Sequence, residues 1–295
     1  MTKVSMLIPA RNEQFLVKTV DDIFTKAAGD IEVIAVLDGS WGGYEGMRDR
    51  PNLKVIHHGA PLGMRACINH AASVAKGDYL AKTDAHCMFA EGFDEVLLKD
   101  IQDSQIVIPR RKRLDAENWA IQDVGKPDID LHYLCCPFTN PDGFSMHGAI
   151  WKERDRKRLE ILVDETMSFQ GSFWLMSRKH WDWLGGMSEE GYGTFTQEPQ
   201  EIGMKTWLGG GQVMVNKKTW YAHLHKGKKY GRGYHQDKSE IMRGHEYSAR
   251  YWMNNQWGVP YHDMEWLVDK FAPVPTWPEN WLEQWSKHEF NEMTK

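Results

Sequence analysis

The sequence lacks the marks of several protein classes. No apolar run approaches the roughly 20 residues that a membrane helix needs, so we predict no membrane span. The first residues, MTKVSMLIPARNE, have strand character and lack the apolar stretch and cleavage site of a signal peptide. A net charge of −5 gives no overall attraction to nucleic acids or anionic membranes, so a polyanionic partner must meet a local basic patch. We therefore expect a cytoplasmic protein.

Cysteines are few, and their spacing is not that of a zinc or disulfide framework. The four are Cys67, Cys87, Cys135 and Cys136, and no two of them form a CxxC pair. The adjacent pair is poorly suited to a structural disulfide or zinc site. We expect reduced thiols that pack in the interior.

What the sequence does have is an alternation of strand and helix patterns in its first hundred residues. The predicted strands are KVSMLIPA, IEVIAVLDGS, LKVIHH and DYLAKTDA, and the predicted helices are NEQFLVKTVDDIFTKA and LGMRACINHAASVA. Nearly continuous apolar strands between helices are typical of a parallel sheet that is covered on both faces. The pattern predicts an α/β fold with a mostly parallel sheet flanked by helices.

Polar residues follow three of these strands. Pro9 to Glu13 come after the first strand, Asp38 and Gly39 end the second, and Asp84 to His86 end the fourth. Ligands of open parallel sheets bind outside the carboxyl ends of the strands. We therefore expect these three strand ends to converge on one crevice.

Beyond about residue 105 the pattern loosens. The run RRKR, Arg110 to Arg113, is typical of a solvated basic face, and CCPFTNPDGF reads as a loop. Regularity returns with a strand, a helix predicted from Pro199 to Leu208, and another strand. The tail from Tyr221 is first aromatic and basic, then helical, then interrupted by proline and rich in tryptophan.

The pair Asp84 and His86 is a candidate metal site. A carboxylate and an imidazole two residues apart on an extended segment point to the same side, and this donor set suits Mn²⁺ while leaving positions open for phosphate oxygens. A polar pair of this kind is also common as a cap or in a core. His223 and His225 in YAHLH offer a further imidazole, although this segment also fits a basic surface strand, and the sequence does not choose between the two histidines.

The order of these motifs resembles a known family. TDAHC, QEPQEIGMKTWLGGG and YAHLH occur in the order found in nucleotide-sugar glycosyltransferases of the Rossmann-like GT-A fold. The pattern is similar to that of the polypeptide N-acetylgalactosaminyltransferases and of the wider family 2 type glycosyltransferases. The likeness covers roughly residues 3–115 and 165–226.

The resemblance implies a role for each matching residue. Asp84, His86 and His223 match the metal ligands, with His225 as the alternative to His223. Glu198 and Glu201 match the acidic pair of the acceptor-side motif. The donor-binding residues that it implies, several of them at the strand ends described above, are Pro9, Ala10, Arg11, Glu13, Asp38 (to the uridine), Arg65, Asp84, Ala85 and Gly171 (under the donor sugar).

The implied reaction moves a sugar from a UDP-sugar to a hydroxyl acceptor with Mn²⁺ or Mg²⁺ as cofactor. UDP-GalNAc, UDP-GlcNAc and related hexose donors all fit. Glu198 precedes Pro199 at a helix N-terminus, where it would serve as the base of an inverting reaction or orient the acceptor in a retaining one. The family leans toward retention, and the sequence leaves both outcomes open.

Departures from the family pattern bear on the acceptor. Gln197 stands where the family has Gly, Gln170-Gly171-Ser172 replaces Ala-Gly-Gly, and no lectin domain or membrane anchor is evident. We therefore expect a bacterial or phage enzyme rather than a Golgi one. The expected acceptor is a glycan or, given RRKR and the basic stretch HLHKGKKYGRGYHQDK, a modified base in phage DNA.

The expected organisation is a catalytic domain at 1–226 followed by an extension at 227–295. Residues 1–115 would form its nucleotide-sugar half and 116–226 its acceptor half. The tryptophans of the tail would clamp it to the domain, stack on the acceptor, or form a homo-oligomer interface; they are Trp252, Trp257, Trp266, Trp277, Trp281 and Trp285.

Two rival functions remain at this level. One is a nucleotide-sugar-binding protein without transferase activity, which would have no need of the metal set, Asp38 and Glu198 together. The other is a nucleotidyltransferase, whose usual Gly-rich basic fingerprint after the first strand is missing from IPARNEQF.

Overall fold

The computed structural model describes residues 3–41, 44, 46–47, 50–125, 128, 130–140 and 143–291. The strands in these ranges are β1 (Lys3–Ala10), β2 (Asp30–Asp38), β3 (Leu53–His58), β4 (Tyr79–Thr83), β5 (Cys87–Phe89), β6 (Gln105–Asp115), β7 (Ala120–Ile121), β8 (His132–Leu134), β9 (Gly148–Ile150), β10 (Val163–Glu165), β11 (Phe173–Ser177) and β12 (Gln212–His223). The helices are α1 (Leu16–Lys26), α2 (Met64–Val74), α3 (Phe93–Asp100), α4 (Lys152–Lys157), α5 (Arg178–Leu184), α6 (Glu198–Leu208), α7 (Gly227–Tyr230), α8 (Lys238–Met253), α9 (Met264–Phe271) and α10 (Trp281–Ser286), followed by a 3₁₀ turn at Glu289–Asn291.

One large mixed sheet organises the molecule. Its strand order is β10-β12-β6-β11-β4-β1-β2-β3, with β5 paired to β12 and β7 to β6. The run β4-β1-β2-β3 is parallel throughout, whereas β11 lies antiparallel between β4 and β6. The predicted α/β class with a mixed, mostly parallel sheet is confirmed.

The first half folds as its hydrophobic pattern predicts. Strands β1 and β2 are buried along nearly their whole length, because helices cover the sheet. On α1 the buried Leu16, Val20 and Ile23 recur at intervals of four and three residues, so one face of the helix packs on the sheet. This packing places the ends of β1, β2 and β4 side by side.

The sequence pattern loosens from about residue 105, but the structure places the basic run at 110–113 in regular structure. It lies inside β6, which continues for 11 residues. Side chains alternate along the strand, so Arg110 bonds to Asp130 and Lys112 to Asp128, while Arg111 donates to Gln170. Three of the four cations are therefore held by partners within the chain.

The C-terminal tail packs onto the domain through its aromatic side chains. Trp252, Trp281 and Trp285 are buried in the hydrophobic core that also contains the central sheet, and Trp257, Trp266 and Trp277 pack against it. All four cysteines are buried thiols outside any disulfide, as predicted. In the part of the chain that the structure describes, no helix combines the length and apolarity needed to cross a membrane.

Candidate active site

A cavity of about 670 Å³ lies at the carboxyl ends of β1, β2 and β4. Its walls also include the start of α2 and residues 223–227 and 231–237, which follow β12. The predicted site residues that line it are Pro9, Ala10, Arg11, Glu13, Asp38, Asp84, Ala85, His86, His223 and His225. The expected convergence of three strand ends on one crevice is confirmed.

The Asp84–His86 segment forms a turn between β4 and β5, not the extended segment assumed from the sequence. The N–H of Asp84 donates to the carbonyl of Ser172 at 3.0 Å, and the N–H of Leu224 donates to the carbonyl of His86 at 3.1 Å. These two hydrogen bonds fix the turn to Ser172, which directly precedes β11, and to Leu224, which directly follows β12. It is the turn, together with the pairing of β5 with β12, that brings His223 to the same place.

Three ligand atoms converge there. His223 Nε2 lies 3.2 Å from Asp84 Oδ2, and His86 Nε2 lies 3.9 Å from the same oxygen. Donor atoms of these three residues all lie within 4.8 Å of one another. The His225 ring lies beside His223, with ring centroids 5.4 Å apart, and lines the cavity without belonging to this group.

The surroundings of these side chains suit a divalent cation. Glu13 Oε2 lies 3.2 Å from His86 Nδ1, so a carboxylate orients the imidazole from behind, as is usual for metal-ligating histidines. Lys226 in turn donates to Glu13 Oε1 at 2.5 Å. His223 Nδ1 is buried without a partner among the described residues, which leaves this imidazole held only from its Nε2 side.

Charge at the site favours metal binding. Burial lowers the pKa of His223 to about 4, so at neutral pH its imidazole is neutral and its lone pair is free. Burial by itself would raise the pKa of Asp84, but Lys82 and the two imidazoles outweigh it and hold that pKa well below the usual range. The group thus presents one carboxylate and two imidazoles, a donor set that fits Mn²⁺.

Lys82 is the residue that the sequence analysis missed. Its side chain is 1% exposed, and its ammonium donates to Asp84 Oδ1 at 2.7 Å, to the carbonyl of Gly171 at 2.5 Å and to Glu198 Oε2 at 3.2 Å. Burial lowers the pKa of this amine, but the two carboxylates outweigh it and the net shift is upward. Because Lys82 holds Oδ1, Asp84 presents only Oδ2 to the two histidines.

A sequence signal for Lys82 did exist. It is the single charge in the strand YLAKT, and it precedes Asp84 by two residues. In a strand, residues two apart share a face. A charge in such a place needs a buried partner, and that requirement points to the acidic end of the strand.

Glu198 and Gly171 lie beneath the cavity rather than on its wall. Glu198 is 2% exposed, accepts from Trp174 Nε1 at 2.6 Å through Oε1, and faces Lys82 through Oε2. Burial raises its pKa. A Cβ on Gly171 would come within 3.0 Å of Glu198 Oε2, so the absence of a side chain lets this carboxylate approach.

Arg65 and Glu201 lie deeper still. Both are 1% exposed and bond to each other, and Lys205 joins Glu201 at 2.8 Å. Arg65 also donates to the carbonyls of Thr196 and Ser188. Neither Arg65 nor Glu201 reaches the cavity wall, so their predicted roles at the donor and acceptor are not supported by direct access.

Asp38 reaches the cavity with a fixed carboxylate. Its Oδ1 accepts from the N–H of Leu62 at 2.7 Å, and its Oδ2 from the N–H of Gly63 at 3.0 Å. It is 4% exposed. Contact with a uridine stays a prediction for this residue.

The basic segment after β12 is bound to the end of β1. Arg11 lies over the Tyr234 ring, with the guanidinium 4.6 Å from the ring centroid, and Asn12 donates to the carbonyl of Gly233 at 2.7 Å. With the Lys226–Glu13 pair, these contacts place cations along the cavity wall.

The comparisons with known proteins decide the family. The sequence model of glycosyl transferase family 2 matches residues 5–183, which is more than half of the chain. The chain belongs to glycosyl transferase family 2. The predicted resemblance and enzyme class are thereby confirmed at the level of the family.

Two kinds of relative refine the assignment of this family 2 member. Polypeptide N-acetylgalactosaminyltransferase 12 of Mus musculus is 23% identical over 276 residues, which cover 89% of this chain and 46% of that protein. The crystal structure of GalNAc-T7 with UDP, GalNAc and Mn²⁺ superposes with a TM-score of 0.70 at 17% identity, covering 92% of this chain and 57% of that one. TarS of S. aureus in complex with UDP-GlcNAc gives 0.54 at 14% identity, covering 82% and 63%. The fold is therefore GT-A, and the chain spans about half the length of the relatives that it matches.

Proposed function

We propose that this protein transfers a sugar from a UDP-sugar to a hydroxyl acceptor, with a divalent metal ion held by Asp84, His86 and His223. The observation that carries the proposal is the convergence of these donor atoms at the wall of the cavity formed by the strand ends. The GalNAc-T7 and TarS structures, which hold UDP with Mn²⁺ and UDP-GlcNAc respectively, support the class of donor and cofactor.

Each part of the cavity has a task in this reaction. Asp84, His86 and His223 would hold a divalent ion, which would supply Lewis-acid stabilisation to the departing diphosphate. Lys226 and Arg11 lie on the wall, where cations compensate phosphate charge. Asp38, with Pro9 and Ala10, forms the end of the cavity assigned to the nucleoside.

Glu198 acts on this site through other residues. Its two oxygens accept from Trp174 and face Lys82, and it is 2% exposed and does not line the cavity, so it is not placed to take a proton from an acceptor hydroxyl. We assign it the task of fixing Lys82 and the Gly171 backbone beneath the donor sugar. This geometry favours retention, where no base must activate the acceptor, over inversion.

We propose a saccharide as the acceptor. Arg110, Arg111 and Lys112 already bond within the chain, which removes most of the RRKR run as a phosphate-binding patch. Binding to hydroxymethylated duplex DNA with a steep salt dependence would overturn this choice, because phosphate contacts release counterions. A cytoplasmic location and association through the tail tryptophans stay predictions.

A UDP-release assay tests the proposal. The protein is incubated with UDP-GalNAc, UDP-GlcNAc and UDP-hexoses, with Mn²⁺ or with EDTA. We expect Mn²⁺-dependent UDP release in the native protein and at least a 100-fold loss (about 2.7 kcal/mol) in Asp84→Asn and His86→Ala, with unchanged circular dichroism. His225→Ala is the matched control, since His225 lies beside the ligand group and should retain Mn²⁺ binding. Full activity of Asp84→Asn in EDTA would overturn the metal assignment.

A further inference from the structure

A second convergence of ligand side chains lies at the ends of β2 and β3. Asp38 ends β2, His58 ends β3 directly opposite it in the parallel pairing, and Cys67 approaches from α2. His58 Nδ1 lies 3.5 Å from Asp38 Oδ1 and 3.7 Å from Cys67 Sγ. The donor atoms of all three lie within 4.8 Å of one another, and all three side chains are buried.

Two of the three, His58 and Asp38, are held in place by further contacts. His58 Nε2 lies 2.9 Å from His70 Nδ1, so the far nitrogen is engaged and Nδ1 faces Asp38 and Cys67. The carboxylate of Asp38 is fixed by the N–H groups of Leu62 and Gly63. Ligands oriented in this way by outer contacts are what a built metal site requires.

The separations agree with those of a tetrahedral zinc site. Bond lengths of about 2.3 Å to sulfur and about 2.0 Å to nitrogen and oxygen imply a nitrogen–sulfur separation of about 3.5 Å and a nitrogen–oxygen separation of about 3.3 Å. The observed 3.7 and 3.5 Å are within a few tenths of an ångström of these values. Sulfur, imidazole and carboxylate together select a softer ion than the Asp84 group, which has no thiol ligand.

The fourth position of such an ion faces the cavity. Asp38 and Cys67 both line it, so an ion can enter from there and a water or substrate atom can complete the tetrahedron. Burial raises the pKa of the Cys67 thiol, and Asp38 adds to this, so metal uptake releases one thiol proton to solvent as the sulfur–metal bond forms.

We propose that Asp38, His58 and Cys67 form a second metal site, for a thiophilic divalent ion of the Zn²⁺ class, at the nucleoside end of the cavity. When occupied, this site excludes the nucleotide, so zinc would inhibit the enzyme separately from its Mn²⁺ requirement. The inhibition, unlike the metal site itself, rests on the proposed function.

Cobalt titration of the full chain under reducing, anaerobic conditions tests the site. Co²⁺ stands in for Zn²⁺, and a bound thiolate gives a near-ultraviolet charge-transfer band that oxygen and nitrogen ligands do not give. We expect one thiolate–cobalt equivalent per chain, displaced by Zn²⁺. Cys67→Ser should lose the band, and Cys87→Ser should keep it, because Cys87 is a buried cysteine next to the other metal group. Failure of the band to form, or its loss in Cys87→Ser instead, would overturn the proposal.

Two further variants keep the outcome clear. If Cys67→Ser does not fold by circular dichroism, His58→Gln replaces it, and we expect at least a 10-fold weaker cobalt affinity. Asp84→Asn should keep the band, so a loss of UDP release there with the band intact separates this site from the transferase proposal. UDP should weaken the band in the native protein; a band indifferent to saturating UDP would overturn the exclusion of nucleotide.

Discussion

Two glutamates one helical turn apart on α6 lie in different electrostatic surroundings. Glu198 belongs to a cluster with Lys82 and Asp84, and that cluster is continuous with the proposed metal ligands at the cavity wall. Glu201 belongs to a cluster with Arg65 and Lys205, which bonds to backbone carbonyls and does not line the cavity at the strand ends. Both glutamates are buried, both face cations, and the sequence predicts both as one functional pair.

The two clusters differ in whether any of their charged atoms faces the cavity. The Glu201 cluster is complete within the chain, since the N–H of Ser188 donates to Glu201 Oε1 and Arg65 shares its donors with Thr196 and Ser188. The Glu198 cluster includes Asp84, whose second oxygen faces the histidines. Adding or removing a charge in the Glu198 cluster should change the affinity for a bound cation. The same change in the Glu201 cluster should alter only the stability of the fold.

The largest effect expected is that of Lys82→Met. It leaves the buried carboxylate of Glu198 and the partly exposed carboxylate of Asp84 without their shared cation, which should cost about 3–5 kcal/mol of unfolding free energy in EDTA. Mn²⁺ is then the main counter-charge to Asp84, so we expect it to stabilise the variant by at least about 1 kcal/mol more than the native protein. Urea unfolding with and without Mn²⁺ measures both. If Mn²⁺ raises the unfolding free energy of the variant and of the native protein equally, the proposed link between Lys82 and the metal is contradicted.

Arg65→Met should destabilise the fold by about 3 kcal/mol, at the low end for a broken buried pair because Lys205 remains beside Glu201. Here Mn²⁺ should add no more stability than it adds to the native protein. The same urea experiment reads this out. If Mn²⁺ raises the unfolding free energy of Arg65→Met as much as that of Lys82→Met, the distinction between the two clusters is wrong.

Glu198→Gln and Glu201→Gln make the comparison in activity. We expect Glu198→Gln to lower kcat on the order of 100-fold, about 2.7 kcal/mol, with a smaller change in the KM for the donor, since Lys82 loses one of its two ionic partners and keeps only Asp84. Glu201→Gln should leave kcat within about threefold at temperatures where it is folded, while its unfolding midpoint falls. Initial-rate kinetics and thermal unfolding of both variants, run side by side, give the answer. Equal kcat losses would mean that the pair acts as one unit.

The sequence predicted the first half of this fold because apolar periodicity is a local signal. Strands β1 to β4 and helices α1 and α2 follow from it, and the parallel-sheet rule then placed Asp38 and Asp84 at one crevice. Strand β11 could not be placed in the same way. Its antiparallel insertion depends on pairings with β4 across about 90 to 100 residues of chain and with β6 across about 70.

The two clusters show the same limit in the site. Lys82 meets Glu198 across 116 positions, and Arg65 meets Glu201 across 136, so local pattern assigned neither partner. Gln197 is instructive because the departure from glycine was visible in the sequence. The structure keeps the left-handed backbone there, with φ of 61°, and Ser248 donates to the Gln197 side chain at 3.0 Å. A hydrogen bond from a distant helix thus supports a conformation that glycine adopts without help.

The smallest effect should come from Gly171→Ala, which tests how closely Glu198 must approach. The added Cβ would lie 3.0 Å from Glu198 Oε2 and 3.2 Å from Pro199 Cδ, so the carboxylate must move by a few tenths of an ångström. We expect a loss of about 1 kcal/mol in transition-state stabilisation, roughly fivefold in kcat/KM, with little change in unfolding midpoint. Gly203→Ala on α6, the helix that begins at Glu198, is the matched control, because its Cβ would contact the Phe169 ring, at 3.2 Å, and not Glu198. If the control lowers kcat/KM as much as Gly171→Ala does, activity depends on the position of the whole helix and not on the close approach of Glu198. That result would contradict the distinction between the Glu198 cluster, next to the proposed metal ligands, and the rest of α6.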